Sequence, residues 1–172
     1  MLRRINKISA TLLLVCFFWS CQSKHEDKVV EKEPVVQKAP VPDFNVALQF
    51  INDYTKFCLP DSKDDKISAA KWIAQNNLLT QNFKNHYQAL VDSAWKADKE
   101  LGLDFDPIFD AQDFPEKGFS ILKADTSAGY VTVVGKEWKD FFIAMRVILE
   151  NDKSLVDGVG VINIPEDRRA KR

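Results

Sequence analysis

The sequence predicts an α+β fold, three N-terminal helices packed on a curled antiparallel sheet of about four strands. Two observations predict it. Up to Leu101 the apolar residues recur with the 3.6-residue period of a helix, and from Phe119 onward they alternate with the two-residue period of a strand. Between the two lies Leu101–Pro115, LGLDFDPIFDAQDFP, a hinge dense in turn residues where the period changes. A run of helices followed by a run of strands buries its apolar faces by stacking one layer on the other.

The first helix starts at Phe44, with Asp43 placed as N-cap after Pro42. Phe44, Ala47, Leu48, Phe50, Ile51, Tyr54, Phe57 and Cys58 cover a wide face, so this helix is buried over much of its circumference. Leu59-Pro60 ends it. A shorter helix runs from about Lys66 to Gln75 with Ile67, Ala70, Ile73 and Ala74 inward. The third is capped by Thr80. Phe83, Tyr87, Leu90, Ala94, Trp95 and Leu101 form its apolar stripe, and Lys84, Asn85, Gln88, Asp92, Lys96 and Lys99 face water.

The strands follow from β-branched alternation. Phe119–Ala124 and Gly129–Gly135 are the first two. Phe141, Ile143, Met145, Val147 and Leu149 line one face of the third. After a loop at Glu150–Lys153 the last strand runs from Leu155 to Ile164, and Gly158 and Gly160 within it predict a bulge or bend. Residues 166–172 read as a charged, disordered tail.

In the hinge, Gly102 suits the left-handed position that ends a helix. Asp106-Pro107 reads as a helix start, with the Asp106 side chain accepting from an orphan N–H and Pro107 placed where none is needed. A turn over Pro107–Asp113 then buries Phe105, Ile108 and Phe109. The aspartates Asp104, Asp106, Asp110 and Asp113 invite a calcium-loop reading. That register fails at its sixth position, Phe109, where a glycine must turn, and at its twelfth, Pro115, where a glutamate must ligate. Caps and solvated charges are therefore expected, with no metal and no cofactor.

The 172 residues suit one domain, expected over 43–165; 45% are hydrophobic, with 12 Phe and 4 Trp to fill a core. Residues 1–20 have the form of a leader: basic Arg3, Arg4 and Lys7, then a short apolar run from Ile8 to Trp19. Ser20-Cys21 follows, and the whole resembles a bacterial lipoprotein signal, which implies acylation of Cys21. An ordinary secretory leader with an incidental cysteine is the alternative. Residues 21–42, with prolines at 34, 40 and 42 and no aromatic residue, read as a disordered tether, and His25 lies within it. Without the leader, 21 basic residues face 25 acidic ones, a net charge of −4. That charge carries no electrostatic footprint for nucleic acid. The expected location is the cell envelope, held by lipid, at the outer membrane facing the periplasm or the surface, because Gln22 is not the aspartate that retains such proteins at the inner membrane. Cys58 is left without an intrachain partner and reads as a buried free thiol.

The undecapeptide Leu103–Asp113, LDFDPIFDAQD, resembles the signature of an uncharacterised family of bacterial exported proteins and lipoproteins. Val156-Asp157-Gly158-Val159-Gly160 is similar to that family's last strand. The similarity spans roughly Phe44 to Pro165; the loop before the last strand, Asp152-Lys153-Ser154, departs from the family's Gly-Lys-Trp. The resemblance implies a nuclear transport factor 2-like cone fold. It implies no activity, because the family has none established.

Three functions fit. The first is a non-catalytic domain that binds a small molecule or another envelope protein in the concavity of a curved sheet. The second is an immunity or inhibitor protein whose acidic hinge faces a basic cleft. The third is an isomerase or dehydratase of the cone type, for which Tyr54, His86, Tyr87 and Tyr130 are the candidate pocket residues. No spacing ties those four together. His86 has no histidine or carboxylate at i±4 to fix its tautomer, so a surface histidine is the plainer reading.

Overall fold

The computed structural model describes residues 40–62 and 67–171. The signal, Cys21, His25 and the tether up to residue 39 lie outside the described residues.

Helix α1 spans Asn45–Cys58, α2 Ala69–Gln75 and α3 Gln81–Ala97. Each begins where local chemistry supplies an acceptor. Thr80 Oγ1 accepts from the Phe83 N–H at 3.0 Å and caps α3. Ser68 does the same for Lys71 at α2. At α1 the cap position falls on Phe44, one residue later than predicted. Asp43 still contributes, because its Oδ1 accepts from the Asn45 N–H at 2.9 Å. In α2, Ala74 is exposed against expectation, while Trp72 packs on Phe57 at 5.3 Å and on Tyr54 at 5.4 Å. Seven residues offer only one inward face, and the larger ring takes it.

Four strands follow: β1 Phe119–Asp125, β2 Tyr130–Gly135, β3 Phe142–Glu150 and β4 Lys153–Val159. They form one open antiparallel sheet in the order β1-β2-β3-β4. The β3–β4 turn is tight because Asn151 (φ 50°) and Asp152 (φ 61°) both adopt left-handed backbone, as a two-residue hairpin turn of matching twist demands. Register shifts between Arg146 and Val147, so Asp157 is the extra residue of a bulge beside Gly158. The last strand stops at Val159, short of the predicted Ile164. Gly160 turns there with φ 57°, and an added Cβ would collide with the carbonyl oxygens of Pro107 and Ile108. The chain reverses at that point because the hinge is packed against it; Val161 N–H donates to Pro107 O at 3.0 Å.

Helical structure is not confined to the N-terminal side. A short 3-10 helix, η1, covers Glu166–Arg168. The segment predicted as a disordered tail is held down: Arg169 Nε donates to Ile164 O at 2.9 Å and Nη2 to Val161 O at 3.3 Å.

The core lies between α1 and one sheet face. Phe50, Ile51, Tyr54, Phe83, Ile108, Phe109 and Phe119 are fully buried there with Val131, Val133, Ile143 and Met145. Both sheet edges are dressed. On β1, Asn52 Oδ1 accepts from Phe119 N–H at 2.8 Å and its Nδ2 donates to Phe119 O at 3.3 Å, so a helix side chain stands in for a neighbouring strand. On β4, Thr80 N–H donates to Val156 O and Val156 N–H to Leu78 O, which makes the α2–α3 link an edge cover.

The hinge differs from its prediction in form. Residues 107–110 make a turn closed by an antiparallel bridge between Asp106 and Ala111, with Asp110 at φ 55°, and no helix forms. Ile108 and Phe109 are fully buried, Phe105 only partly. Phe109 stacks on Phe114 at 4.5 Å and meets Tyr54 at 5.2 Å with the rings tilted.

Phe109→Ala should therefore cost about 3–5 kcal/mol of stability, the range for emptying a fully buried ring site. Lys96→Ala, on the exposed side of α3, should stay within about 0.5 kcal/mol. Urea unfolding monitored by circular dichroism measures both, and equal midpoints would show that the hinge ring is dispensable.

Candidate functional site

Helical spacing places Phe50, Tyr54 and Cys58 on one face of α1, and that face meets α3 at Tyr87 and the hinge at Asp106. Tyr54 Oη donates to Asp106 Oδ2 at 2.7 Å. The other oxygen, Oδ1, accepts from the Ile108 and Phe109 N–H groups at 2.7 and 3.0 Å. Asp106 thus caps the turn as predicted, and it also bonds a core tyrosine 52 residues away.

Burial sets the electrostatics. Desolvation raises the Asp106 carboxyl above the ordinary 3.8, against the Tyr54 and backbone hydrogen bonds that favour its charge. Burial first, and the Asp106 charge second, push Tyr87 up to about 12; interaction with the Tyr54 hydroxyl works the other way. The same two causes push the Cys58 thiol to about 12 and raise Tyr54 well above 10.0. Near neutral pH the phenols and the thiol keep their protons. A thiol held protonated is a poor nucleophile, and a carboxylate whose oxygens are both taken is a poor general base. The cluster is chemically suited to fastening α1, α3 and the hinge to one another.

The four candidate pocket residues do not share a pocket. Tyr54 and Tyr87 meet in this buried cluster. His86 is exposed, and its Nδ1 pairs with Asn163 Oδ1. Tyr130 lies on the sheet face turned away from α1, where Arg168 crosses its ring. Sequence spacing could not separate them, because each is a plausible polar tip on an apolar pattern. Of the other hinge aspartates, Asp104 and Asp113 are exposed; Asp104 O accepts from Gln112 Nε2 at 3.1 Å. Among the described residues no three His, Cys, Asp or Glu side chains come together to hold a metal.

A second polar cluster was not visible in the sequence. Asp157, 5% exposed, accepts from Thr80 Oγ1 at 2.7 Å and pairs with Arg146 at 3.4 Å. Its backbone oxygen accepts from Asn163 Nδ2 at 2.7 Å. The bulge turns Asp157 toward the start of α3, where a negative charge meets the positive end of the helix. The one sequence signal was Gly158, which predicted a bulge without saying which side chain it would redirect.

Surface grooves open elsewhere: about 570 Å³ beside Phe57 and Trp72, about 430 Å³ beside Phe114 and Trp138, and about 320 Å³ beside Tyr130 and Arg168. The α3 stripe is only half covered. Phe83 and Tyr87 are buried, Leu90, Val91 and Ala94 partly so, while Trp95 is 50% exposed; Leu101, predicted on the same stripe, falls outside α3 in the turn after Ala97 and is 70% exposed. The Trp95 ring rests over Gly102, where an added Cβ would come within 2.9 Å of it. Gly102 does not end the helix as predicted, because α3 stops at Ala97 with Asp98 as its C-cap; Gly102 closes the following turn, donating to Asp98 O at 3.1 Å with φ 62°, and makes room for the indole. Among the described residues no helix is long and apolar enough to cross a membrane.

Comparison with known proteins finds no matching family model, no matching curated protein and no matching solved structure.

Asp106→Ala should destabilise by about 2–4 kcal/mol, the lost cap plus an unpaired buried Tyr54 hydroxyl. Asp106→Asn keeps an acceptor and volume and should cost less; if the two cost the same in urea unfolding, the Tyr54 bond contributes nothing. The thiol gives a pH dependence. Cys58 titrates near 9.0 when unfolded and near 12 when folded, so the folded state holds its proton longer. That contribution is full below about pH 9 and is lost as pH rises toward about 12. Unfolding free energy should fall as pH rises from about 9 toward about 12, and Cys58→Ala should lessen the fall.

Proposed function

We propose that this chain is an envelope lipoprotein, acylated at Cys21 and held at the outer membrane, whose domain binds a partner protein without catalysing a reaction. The domain is read as a nuclear transport factor 2-like cone of the exported-protein family that Leu103–Asp113 resembles. The observation that carries the binding reading is the outer half of α3. Trp95, in the last turn of α3, is exposed on the same helix as the partly covered Leu90, Val91 and Ala94, and Leu101 is exposed in the turn beyond the helix end at Ala97, with the charged Asp92, Lys96 and Lys99 among them. Large exposed apolar groups with a charged rim are the mark of an interaction surface. The partner is another envelope protein with an apolar contact of its own. Against catalysis stands the buried cluster, whose Asp106 is spent on Tyr54 and two backbone N–H groups. A blocking role toward an envelope toxin or hydrolase is a second reading, supported by the exposed Asp104 and Asp113 of the hinge.

Two measurements test this. Cys21→Ala should move the protein from the detergent phase to the aqueous phase and remove the acyl mass; unchanged partitioning would exclude the lipid anchor. A photocrosslinker at position 95, in cells making the full chain, should give one discrete adduct that Leu101→Asp abolishes. A smear of adducts, or one indifferent to Leu101, would remove α3 as the binding surface.

A further inference from the structure

Antiparallel pairing puts Tyr130 and Thr132 of β2 on the same sheet face as Arg146 and Ala144 of β3, opposite to the core residues Val131, Val133, Ile143 and Met145. The C-terminal segment crosses this face. Arg169 is the anchor, tied to the carbonyls of Ile164 and Val161. Its neighbour Arg168 is laid over Tyr130, with the guanidinium carbon 4.3 Å from the ring centroid. Next to the stacked pair a groove of about 320 Å³ stays open, bounded by Lys123, Asp125, Thr132, Ala144 and Asp167. Hydrogen bonds from the Ser127 hydroxyl and the Ala128 N–H hold the Asp125 carboxyl below the ordinary 3.8, and the Arg168 cation adds a smaller share.

An aromatic face with carboxylates at its rim is a receptor for a guanidinium, which stacks on the ring and pairs with acid at once. Here that receptor is filled by the chain's own arginine. We propose that the Tyr130 face is a docking site for an arginine-bearing segment of a partner protein, and that Arg168 is an intramolecular stand-in that must be displaced. The inference extends the partner-binding reading to a second surface and names the chemistry of what binds there; it does not depend on α3. With Arg168 displaced, Asp125 and Asp167 outnumber Lys123, and Arg146 opposite Tyr130 is paired with Asp157, so the rim favours a cation over a phosphate. A single exposed cation–π contact is weak, so a segment that also fills the groove outcompetes it.

The test uses the purified full chain in detergent and a fluorescent peptide of alternating arginine and serine, followed by anisotropy. Arg168→Ala should bind the peptide about fivefold more tightly than wild type, the scale of one exposed cation–π contact. Lys139→Ala makes the same charge change on the β2–β3 connection and should give no such gain. Adding Tyr130→Leu to Arg168→Ala should abolish the gain, and a lysine–serine peptide should gain less than the arginine one. Equal affinities for Arg168→Ala and Lys139→Ala, or a gain that survives Tyr130→Leu, would overturn the proposal. Self-association of Arg168→Ala in place of peptide binding would overturn it in favour of a second copy. Should Arg168→Ala melt early, Arg168→Gln tests the same displacement. Failure here leaves the position-95 crosslink standing, and failure of the crosslink leaves this titration standing.

Discussion

The bond from Tyr54 to Asp106 joins the two halves of the chain. One carboxylate receives a phenol from α1 and two backbone N–H groups from the hinge, so a helix of the first half and a turn of the second share one buried group. Burying a carboxyl is costly unless its lone pairs are used, and here three donors use them. The aromatic core is arranged around that point. Phe109 follows Asp106 into the interior, stacks on Phe114, meets Tyr54, and reaches Phe119 at the start of β1 at 6.2 Å.

From the hinge the constraint passes to the end of the sheet. The carbonyls of Pro107 and Ile108 lie so close to Gly160 that only a glycine fits, and Pro107 O takes the Val161 N–H. The chain turns there, Ile162 and Ile164 are buried, and the C-terminal segment is returned across the outer sheet face. Arg169 and Arg168 then find their partners. The Tyr130 receptor is thus a consequence of where the hinge forces β4 to stop.

Polar groups divide by burial. Tyr87 and Asp157, which are buried, and Asp106 and Cys58, which are half-buried, the thiol less covered than predicted, are partnered or kept neutral, and they hold elements together. Those that could meet another molecule are outside: the end of α3, Asp104 and Asp113 of the hinge, and the Tyr130 face.

Much of the fold was legible in the sequence because it rests on local periodicity. The three helices, the four strands, the Thr80 cap and the Asp106 cap each follow from residues within a few positions of one another. The overturned expectations are those that depend on what lies opposite. The apolar spacing runs on to Leu101 in sequence, but α3 ends at Ala97 where Asp98 turns extended, and within the helix Trp95 is left exposed, so periodicity marked neither the end of the helix nor its cover. The tail looked disordered from composition, yet backbone carbonyls of the Val161–Ile164 turn were waiting for Arg169. Of the four candidate pocket residues, the sequence identified the types and could not sort them, since the element a tyrosine stands on does not say which polar group its hydroxyl meets. What the sequence determined by itself was every feature set by neighbours along the backbone: helix and strand, caps, and the place where one period yields to the other. What the tertiary structure alone decided was which polar side chains meet, namely Tyr54 with Asp106, Thr80 with Asp157 and Arg168 with Tyr130. The physical reason is that these pairs are fixed by the packing of α1 and α3 on the sheet and by the reversal at Gly160, long-range constraints that leave no period in the chain.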